Sequence, residues 1–306
     1  MTSAALAFVI AVLGSWVRIN NAGLTCPDWP LCHGELVPSL AGGVILEWSH
    51  RLVAFVEGFV VLGAIVTGVR MRTRIAWLTP ALVALGLIFV LQVSLGGATV
   101  LLANSPLSVM LHWGMGMALL ATLTVLAVLA IVAPAPRLRE RSRSGFGDGA
   151  APALALAAVF AFATMCIGAY TSSSYAGLAC ATVPACDGTL WGTTPLQFVQ
   201  MLHRVAAASF TIVALLATIV ALQLGSPRVR ACALAGFALI LVQIALGVGN
   251  VLWQLPIVLR EAHAANAGAT FLAFVIATLL AALEPNRSAA FGREPARSPR
   301  QIAPVA

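Results

Sequence analysis

Apolar residues form long runs along the chain, separated by short segments that contain arginine, glycine, proline and cysteine. A run of about 20 apolar residues can cross the ~30 Å hydrocarbon core of a membrane as a helix. We count eight such runs, near residues 3–19, 42–69, 76–98, 107–133, 151–170, 195–224, 231–253 and 257–283. The pattern predicts an all-α integral membrane protein with eight transmembrane helices, the first of them retained rather than removed as a signal peptide.

The composition supports this class, with 60% hydrophobic residues, only 9% charged residues and a mean hydropathy of +0.98. A soluble domain carries roughly 25% charged residues. All 17 basic residues are arginine, and most of them follow runs two, four, six and eight. Because positive residues are retained on the cytoplasmic side, we expect these segments and both termini to be cytoplasmic. Topology thus accounts for the net charge of +7 without a nucleic-acid partner.

Two similar cysteine-bracketed segments, AGLTCPDWPLC at 22–32 and AGLACATVPAC at 176–186, follow the first and fifth runs. This topology puts them on the outer face, where oxidising surroundings favour disulfides. The predicted pairs are Cys26–Cys32 and Cys180–Cys186. The alternative, a metal site, would favour a tighter Cys-x-x-Cys spacing and further ligands, and only His33 is nearby.

The two halves of the chain repeat one another at an offset of 151 to 154 residues. The matching segments are SHRL (49–52) with LHRV (202–205), LQVSLGGATVLL (91–102) with VQIALGVGNVLW (242–253), and LHWGMGMALL (111–120) with AHAANAGATF (262–271). An even number of helices per unit predicts two parallel four-helix bundles. The predicted organisation is a first bundle at 1–133, an Arg-rich cytoplasmic linker at 134–149, a second bundle at 150–284 and a cytoplasmic tail at 285–306.

Each half contains two histidines within its apolar runs and in the outer half of the membrane, three of them about 9–12 Å inside the outer face at 1.5 Å per residue. They are His50 and His112 in the first half and His203 and His263 in the second. Ionisable residues inside a bilayer are costly and usually functional. Two neutral imidazoles facing each other across a bundle make a bis-histidine haem site, whereas copper or zinc favours three or four converging ligands. We predict one haem iron per half, with both sites near the outer surface.

An acidic residue distinguishes the first half from the second. Glu47 lies three residues before His50, and Gln200 holds the same place in the second half. Residues three apart share a helix face, so Glu47 is predicted to reach the first haem site and to take part in catalysis by moving protons. The alternative is a pair with Arg51 one turn later, which could coexist with catalysis.

Arg51 and Arg204 each follow a histidine directly. Haem propionates are one partner for them, and the alternative is snorkelling or bonding to loop carbonyls. Glu57 lies deeper in the second run, and a packing role and a proton-path role are equally open for it.

Several features occur together: the E-x-x-H-R motif at 47–51, Q-x-x-x-G at 92–96 and 243–247, the late His112 and His263, and the outer cysteine pairs. In this combination the chain resembles the haem A synthase family, over roughly residues 1–284. The resemblance implies an eight-helix enzyme of aerobic respiration. Members oxidise the C8 methyl group of haem O to a formyl group, which gives haem A for cytochrome oxidase.

The resemblance also implies residue roles and partners. The substrate haem O would lie between His50 and His112, and haem b between His203 and His263, with Arg51 and Arg204 at the respective sites. Glu47 would be the essential carboxylate. The implied partners are a haem O synthase as donor, the cytochrome oxidase assembly machinery and the plasma-membrane bilayer, with a homo-oligomer left open.

Two other functions are alternatives to a haem A synthase. A non-catalytic bis-histidine dihaem cytochrome that exchanges electrons with a quinol would have the same four ligands. A transporter would show a Gly/Pro-broken helix near mid-membrane in both halves, and the sequence contains no convincing one.

Overall fold

The computed structural model describes residues 2–72, 78–132 and 149–284. Over these ranges the chain forms eight long α-helices and a short 3-10 helix at Ala176–Leu178, with no β-strand. The α-helices are α1 (Thr2–Ile19), α2 (Gly43–Met71), α3 (Leu78–Leu101), α4 (Pro106–Val132), α5 (Ala151–Ser173), α6 (Pro195–Leu224), α7 (Pro227–Leu252) and α8 (Ile257–Ala282). The prediction of eight apolar helices is confirmed.

All eight helices are long and apolar enough to cross a membrane. The shortest has 18 residues, or about 27 Å of helix at 1.5 Å per residue. Large apolar side chains on the outside of the helices, such as Phe55, Phe59 and Leu87, are exposed. A lipid environment accepts such side chains, and helices satisfy their own backbone hydrogen bonds there. The chain is a multi-pass membrane protein.

The helix starts follow proline and capping signals in the sequence. Thr194 and Gln197 form a capping box at the start of α6. Helix α7 begins at Pro227, four residues before the predicted run. Proline is accepted in the first turn of a helix. The prediction that Arg228 and Arg230 lie in the loop is therefore wrong. The predicted linker, apart from Gly149, and the predicted tail lie outside the described residues.

The helices of each half pack in the same cyclic order. In the first half α1 contacts α2 and α4, and α3 contacts α2 and α4; α5 to α8 repeat these contacts. The halves meet where α4 contacts α5 and α8 and where α1 contacts α8. Fully buried side chains of this joint core include Met117, Leu120, Leu154 and Phe274. Buried alanines on α5 and α6 let helices approach closely, as is typical of membrane bundles.

Candidate functional site

Each of the four intramembrane histidines lies against a glycine of the preceding helix. The pairs are Gly14 with His50, Gly96 with His112, Gly168 with His203, and Gly247 with His263. The histidines come from α2, α4, α6 and α8, and the glycines from α1, α3, α5 and α7. The same contact therefore occurs four times, twice in each half.

The glycines are needed because the imidazole rings fill the space where a side chain would begin. A Cβ atom at Gly14 or Gly168 would lie 2.8 Å from Cε1 of its histidine, closer than carbon atoms normally approach. At Gly96 and Gly247 the corresponding distances are 3.1 Å and 3.2 Å. Each glycine thus forms a cradle that lets the ring rest against the helix backbone.

The two nitrogens of each ring have different surroundings. Nδ1 of all four histidines is buried and makes no hydrogen bond with any residue the structure describes, whereas Nε2 is not enclosed in this way. The residue four positions before each glycine has its main-chain carbonyl close to the ring. This carbonyl makes no hydrogen bond with Nδ1 of the ring. These carbonyls belong to Ile10, Gln92, Thr164 and Gln243. Because Nδ1 is buried, Nε2 is the nitrogen that remains available to a metal.

The histidines of each half form a pair. The ring centroids of His203 and His263 are 6.5 Å apart with planes at 76°, and His112 is close enough to His50 for the two rings to interact electrostatically. An imidazole–metal bond is about 2 Å long, so two rings at this spacing suit one iron between them. In the described ranges no three His, Cys, Asp or Glu side chains converge on one point, which argues against a zinc or copper centre. The residues fit a haem in each half.

Glu47 is buried near the N-terminal end of α2, and both of its oxygens are engaged. Oε2 accepts hydrogen bonds from the Cys26 amide at 2.9 Å and from the Thr25 hydroxyl at 3.0 Å. Oε1 pairs with Arg51 Nη2 at 2.6 Å. The Glu47–Arg51 pair anticipated from the sequence is present, and the carboxylate holds the first cysteine loop next to the turn that bears His50.

Arg51 also holds the first cysteine loop in place. Its guanidinium donates to the carbonyls of Cys26 and Asp28, at 3.0 Å and 2.8 Å, and also to that of Leu31. The structure thus shows the loop-carbonyl contacts that were the alternative to propionate binding. Both cysteine pairs, Cys26–Cys32 and Cys180–Cys186, form disulfide bonds.

The second half holds its cysteine loop with equivalent contacts. Gln200 Oε1 accepts from the Cys180 amide at 2.6 Å, and Nε2 donates to the Gly177 carbonyl at 2.7 Å. Arg204 donates to the carbonyls of Cys180 and Thr182, among others. A neutral amide is therefore sufficient to hold such a loop, so the negative charge of Glu47 exceeds what this structural role requires.

The two equivalent glutamines near the late histidines differ in their contacts. Gln243 Nε2 donates to the His263 carbonyl at 3.0 Å, and its Oε1 accepts from Asn266 at 2.7 Å. Gln92 is the counterpart in the first half. Its Oε1 is buried and has no hydrogen-bond partner among the residues described.

Glu57 lies seven residues after His50, about 10 Å further along α2. The side chain is only 2% exposed. Oε1 accepts from the Ser3 hydroxyl at 2.6 Å, and Oε2 has no partner in the described part of the chain. The side chain therefore packs against α1, away from the first cysteine loop.

Asp28 stabilises the first loop from outside the membrane-spanning helices. Its carboxylate accepts from the amides of Gly34 and His33 at 2.8 Å and 2.7 Å. The Gly34 amide is the largest influence that lowers the pKa of Asp28 below its ordinary value. In the second loop the Thr182 hydroxyl accepts from the Asp187 amide in the same way.

Two functional features were missed from the sequence. Gly14 and Gly168 were not singled out, although they share the offset of the repeat and each precedes the histidine-bearing helix of its half. Asn266, which holds Gln243, was also missed. A search of the repeat for paired glycines and for polar residues present in one half would have found all three.

The fold and the site together define a class: a multi-pass membrane protein with two histidine pairs on glycine cradles and a disulfide-bonded loop in each half. The model of the COX15-CtaA family, described as cytochrome oxidase assembly protein, matches residues 1–44 and 40–275. The chain belongs to this family.

Curated relatives agree with the family assignment, and each of the following is named Heme A synthase. The Geobacillus kaustophilus protein is 30% identical over 271 residues, covering 86% of this chain and 84% of the relative. The Shewanella oneidensis protein is 28% identical over 315 residues, covering 89% and 91%. The Bacillus pumilus protein is 28% identical over 203 residues, covering 65% and 66%.

Proposed function

We propose that this protein is a haem A synthase, a membrane oxidoreductase that converts the C8 methyl group of haem O into a formyl group. The observation that carries the proposal is the fourfold histidine–glycine contact, which builds two equivalent places for a planar macrocycle in one chain. Family membership and the relatives' printed name support the same function.

The first half is proposed to bind the substrate and the second half the cofactor. His50 and His112 flank haem O, and His203 and His263 hold haem b. The support is the difference between the halves: a carboxylate, Glu47, bonds the cysteine loop three residues before His50, and an amide, Gln200, does the same three residues before His203. Arg51 and Arg204 are positioning residues that hold the loops above the two sites.

The reaction requires a proton acceptor and an outlet for electrons. Conversion of a methyl group to a formyl group with oxygen from water releases four protons and four electrons, through an alcohol and a hydrated aldehyde. Glu47 is proposed to accept protons or to stabilise developing positive charge at the substrate edge. Haem b would supply electron transfer from the substrate site to an external acceptor.

Glu47 can serve in this role only if its contacts allow the carboxylate to exchange protons. Its partner Arg51 also donates to three loop carbonyls, so the guanidinium keeps a fixed position if the carboxylate shifts or becomes protonated. The Thr25 hydroxyl at 3.0 Å from Oε2 both donates and accepts hydrogen bonds, and it provides a route for a proton to the outer loop.

The proposed location is the plasma membrane, with both termini in the cytoplasm and the cysteine loops outside. The arginine-rich segments support this orientation through the positive-inside rule, and the disulfides support an oxidising outer face. A haem O synthase would supply the substrate, and the cytochrome oxidase assembly machinery would receive the product.

The test is co-expression of the chain with a haem O synthase, followed by extraction of the haems and identification by mass and reduced spectrum. We expect haem A to appear only when both proteins are present. Two bound haem b groups per chain with no haem A, in cells that make haem O, would instead indicate a dihaem cytochrome.

A further inference from the structure

The glutamines of the two halves occupy equivalent positions but have different partners. Gln243 on α7 is fully engaged by Asn266 and by the main chain of α8. Gln92 on α3 has no side-chain hydrogen bond with any described residue, and its Oε1 is buried. One difference within the repeat accounts for the missing partner of Oε1, because Met115 stands in the first half where Asn266 stands in the second.

The surroundings of Gln92 leave room for the amide without binding it. A Cβ atom at Gly116 of α4 would lie only 3.0 Å from Gln92 Nε2. The second half has Ala267 at the position of Gly116. The first half therefore lacks both the side chain that would hold the amide and the methyl group that would crowd it.

An amide without partners inside a membrane bundle is costly. Lipid and apolar side chains offer no hydrogen bonds, and leaving a buried polar group unpaired costs about 1–3 kcal/mol. The side chain also lies close to the first histidine pair, because its Nε2 contacts Gly116, one helical turn after His112 on α4. The missing partner is therefore expected to arrive with the molecule that occupies that pair.

We propose that Gln92 recognises a hydroxyl group on the porphyrin substrate held between His50 and His112. This inference rests on the proposed function. A primary amide offers both a donor and an acceptor, which suits a hydroxyl that can do both, whereas a carboxylate would favour a cation. Haem b has no hydroxyl group, so the half proposed to hold it engages its glutamine with protein instead.

The substrate offers two hydroxyl groups with this chemistry. Haem O carries one on its long alkyl chain, at the position of a vinyl group in haem b. The other forms at the C8 methyl group when it is oxidised to the alcohol. Both would sit at the porphyrin edge, and the experiment separates them.

The experiment uses full-length protein that carries its haem b, with two variants that act differently on the amide. Gln92→Leu removes it, and Met115→Asn gives it the protein partner that Asn266 gives Gln243. Ser94→Ala is the matched control, because Ser94 lies on the same helix with its hydroxyl bonded to its own backbone on the exposed face. Haem O and haem b are each titrated into the first site and followed by difference spectra, and the haems formed in cells are extracted.

If Gln92 binds the alkyl hydroxyl, both variants lose about tenfold in affinity for haem O, which is the value of one hydrogen bond, and affinity for haem b is unchanged. If it binds the new hydroxyl, haem O affinity stays normal and the ratio of extracted alcohol to haem A changes at least severalfold. Retention of the resident haem b shows that each variant is folded.

Normal haem O affinity together with a normal product ratio in Gln92→Leu would overturn the inference, whatever Met115→Asn does. A wild-type protein that neither binds haem O nor forms haem A would instead overturn the proposed function. The two failures are therefore distinguishable in the same set of samples.

Discussion

The two halves of this protein share a scaffold and differ in a few polar side chains. Both hold a disulfide-bonded loop with an arginine and a hydrogen bond to the first cysteine amide, and both rest two histidines on glycines. The first half uses a carboxylate where the second uses an amide, and it leaves Gln92 unpaired among the described residues where the second engages Gln243. The comparison teaches that the shared scaffold can be separated from the few polar side chains that differ, and under the proposed function those side chains decide what happens to the bound macrocycle.

The largest effect is expected from exchanging the acidic and amide residues. Glu47→Gln should keep the loop in place, because Gln200 makes the equivalent bond with an amide. Product formation should fall by about 10²–10⁴, the usual contribution of a proton-transfer group. Extracted haems, with the haem b proposed for the second half as an internal reference, measure the effect.

Gln200→Glu is the matched control for that substitution. It places a carboxylate at the equivalent position of the second half, and we expect haem A yield within about twofold of the wild type. Wild-type yield from Glu47→Gln would remove Glu47 from the chemistry and leave it only its loop-holding role.

The glycine cradles provide the next comparison. Gly168→Ala places a methyl group 2.8 Å from Cε1 of His203, so the ring must move, and we expect haem b affinity to fall about tenfold. Gly14→Ala should do the same to substrate binding while sparing haem b. Haem content per chain after dilution and gel filtration measures both.

Gly63→Ala is the control for the cradles, because its added Cβ meets nothing within 4 Å. Replacing an exposed helical glycine by alanine is slightly favourable in itself. An equal loss of haem in Gly63→Ala and Gly168→Ala would show that the cradle contact is not what matters.

Removal of the disulfides should separate stability from activity. Each closes a ring of the same size, with a sequence separation of 6, so changing either pair to serine should cost about 2 kcal/mol by the loop-entropy relation. Only loss of Cys26–Cys32 should also lower haem A yield, because the Cys26 amide positions Glu47. Denaturation curves and haem extraction test the two parts, and equal yields from both variants would contradict the second.

The smallest effect concerns pH. The pKa of Asp28 is lowered in the folded loop, chiefly by the Gly34 amide, so its contribution to loop stability is present above the ordinary aspartate pKa of about 3.9. That contribution is lost as the pH falls through the lowered value. Asp28→Thr copies the role of Thr182 in the second loop and should abolish this acid dependence in protease-protection measurements. An unchanged acid profile in the variant would show that the acid dependence arises from another group.

Much of this fold could be predicted because lipid imposes strong rules. The eight apolar runs follow from the length a span requires, and the prolines at helix starts follow from their tolerance in the first turn. The start of α7 was misplaced because arginines near a membrane surface can belong to a helix. The site was predictable as far as which residues repeat, but not which contacts they make.

Glu47 illustrates what sequence alone leaves undetermined. Its spacing from His50 indicated a shared face, yet the carboxylate extends to the Cys26 amide and Arg51. That contact depends on how the cysteine loop folds back over α2, and no local pattern encodes the return path. The glycine cradles depend likewise on which helices are neighbours.

The most direct test of the central claim is the identity of the haem retained by two purified variants, made in cells that also contain a haem O synthase. His263→Ala should lose haem b from the second half, whereas His112→Ala should keep haem b and lose haem O and haem A. Identical haem content in the two variants would contradict the division of substrate and cofactor between the halves.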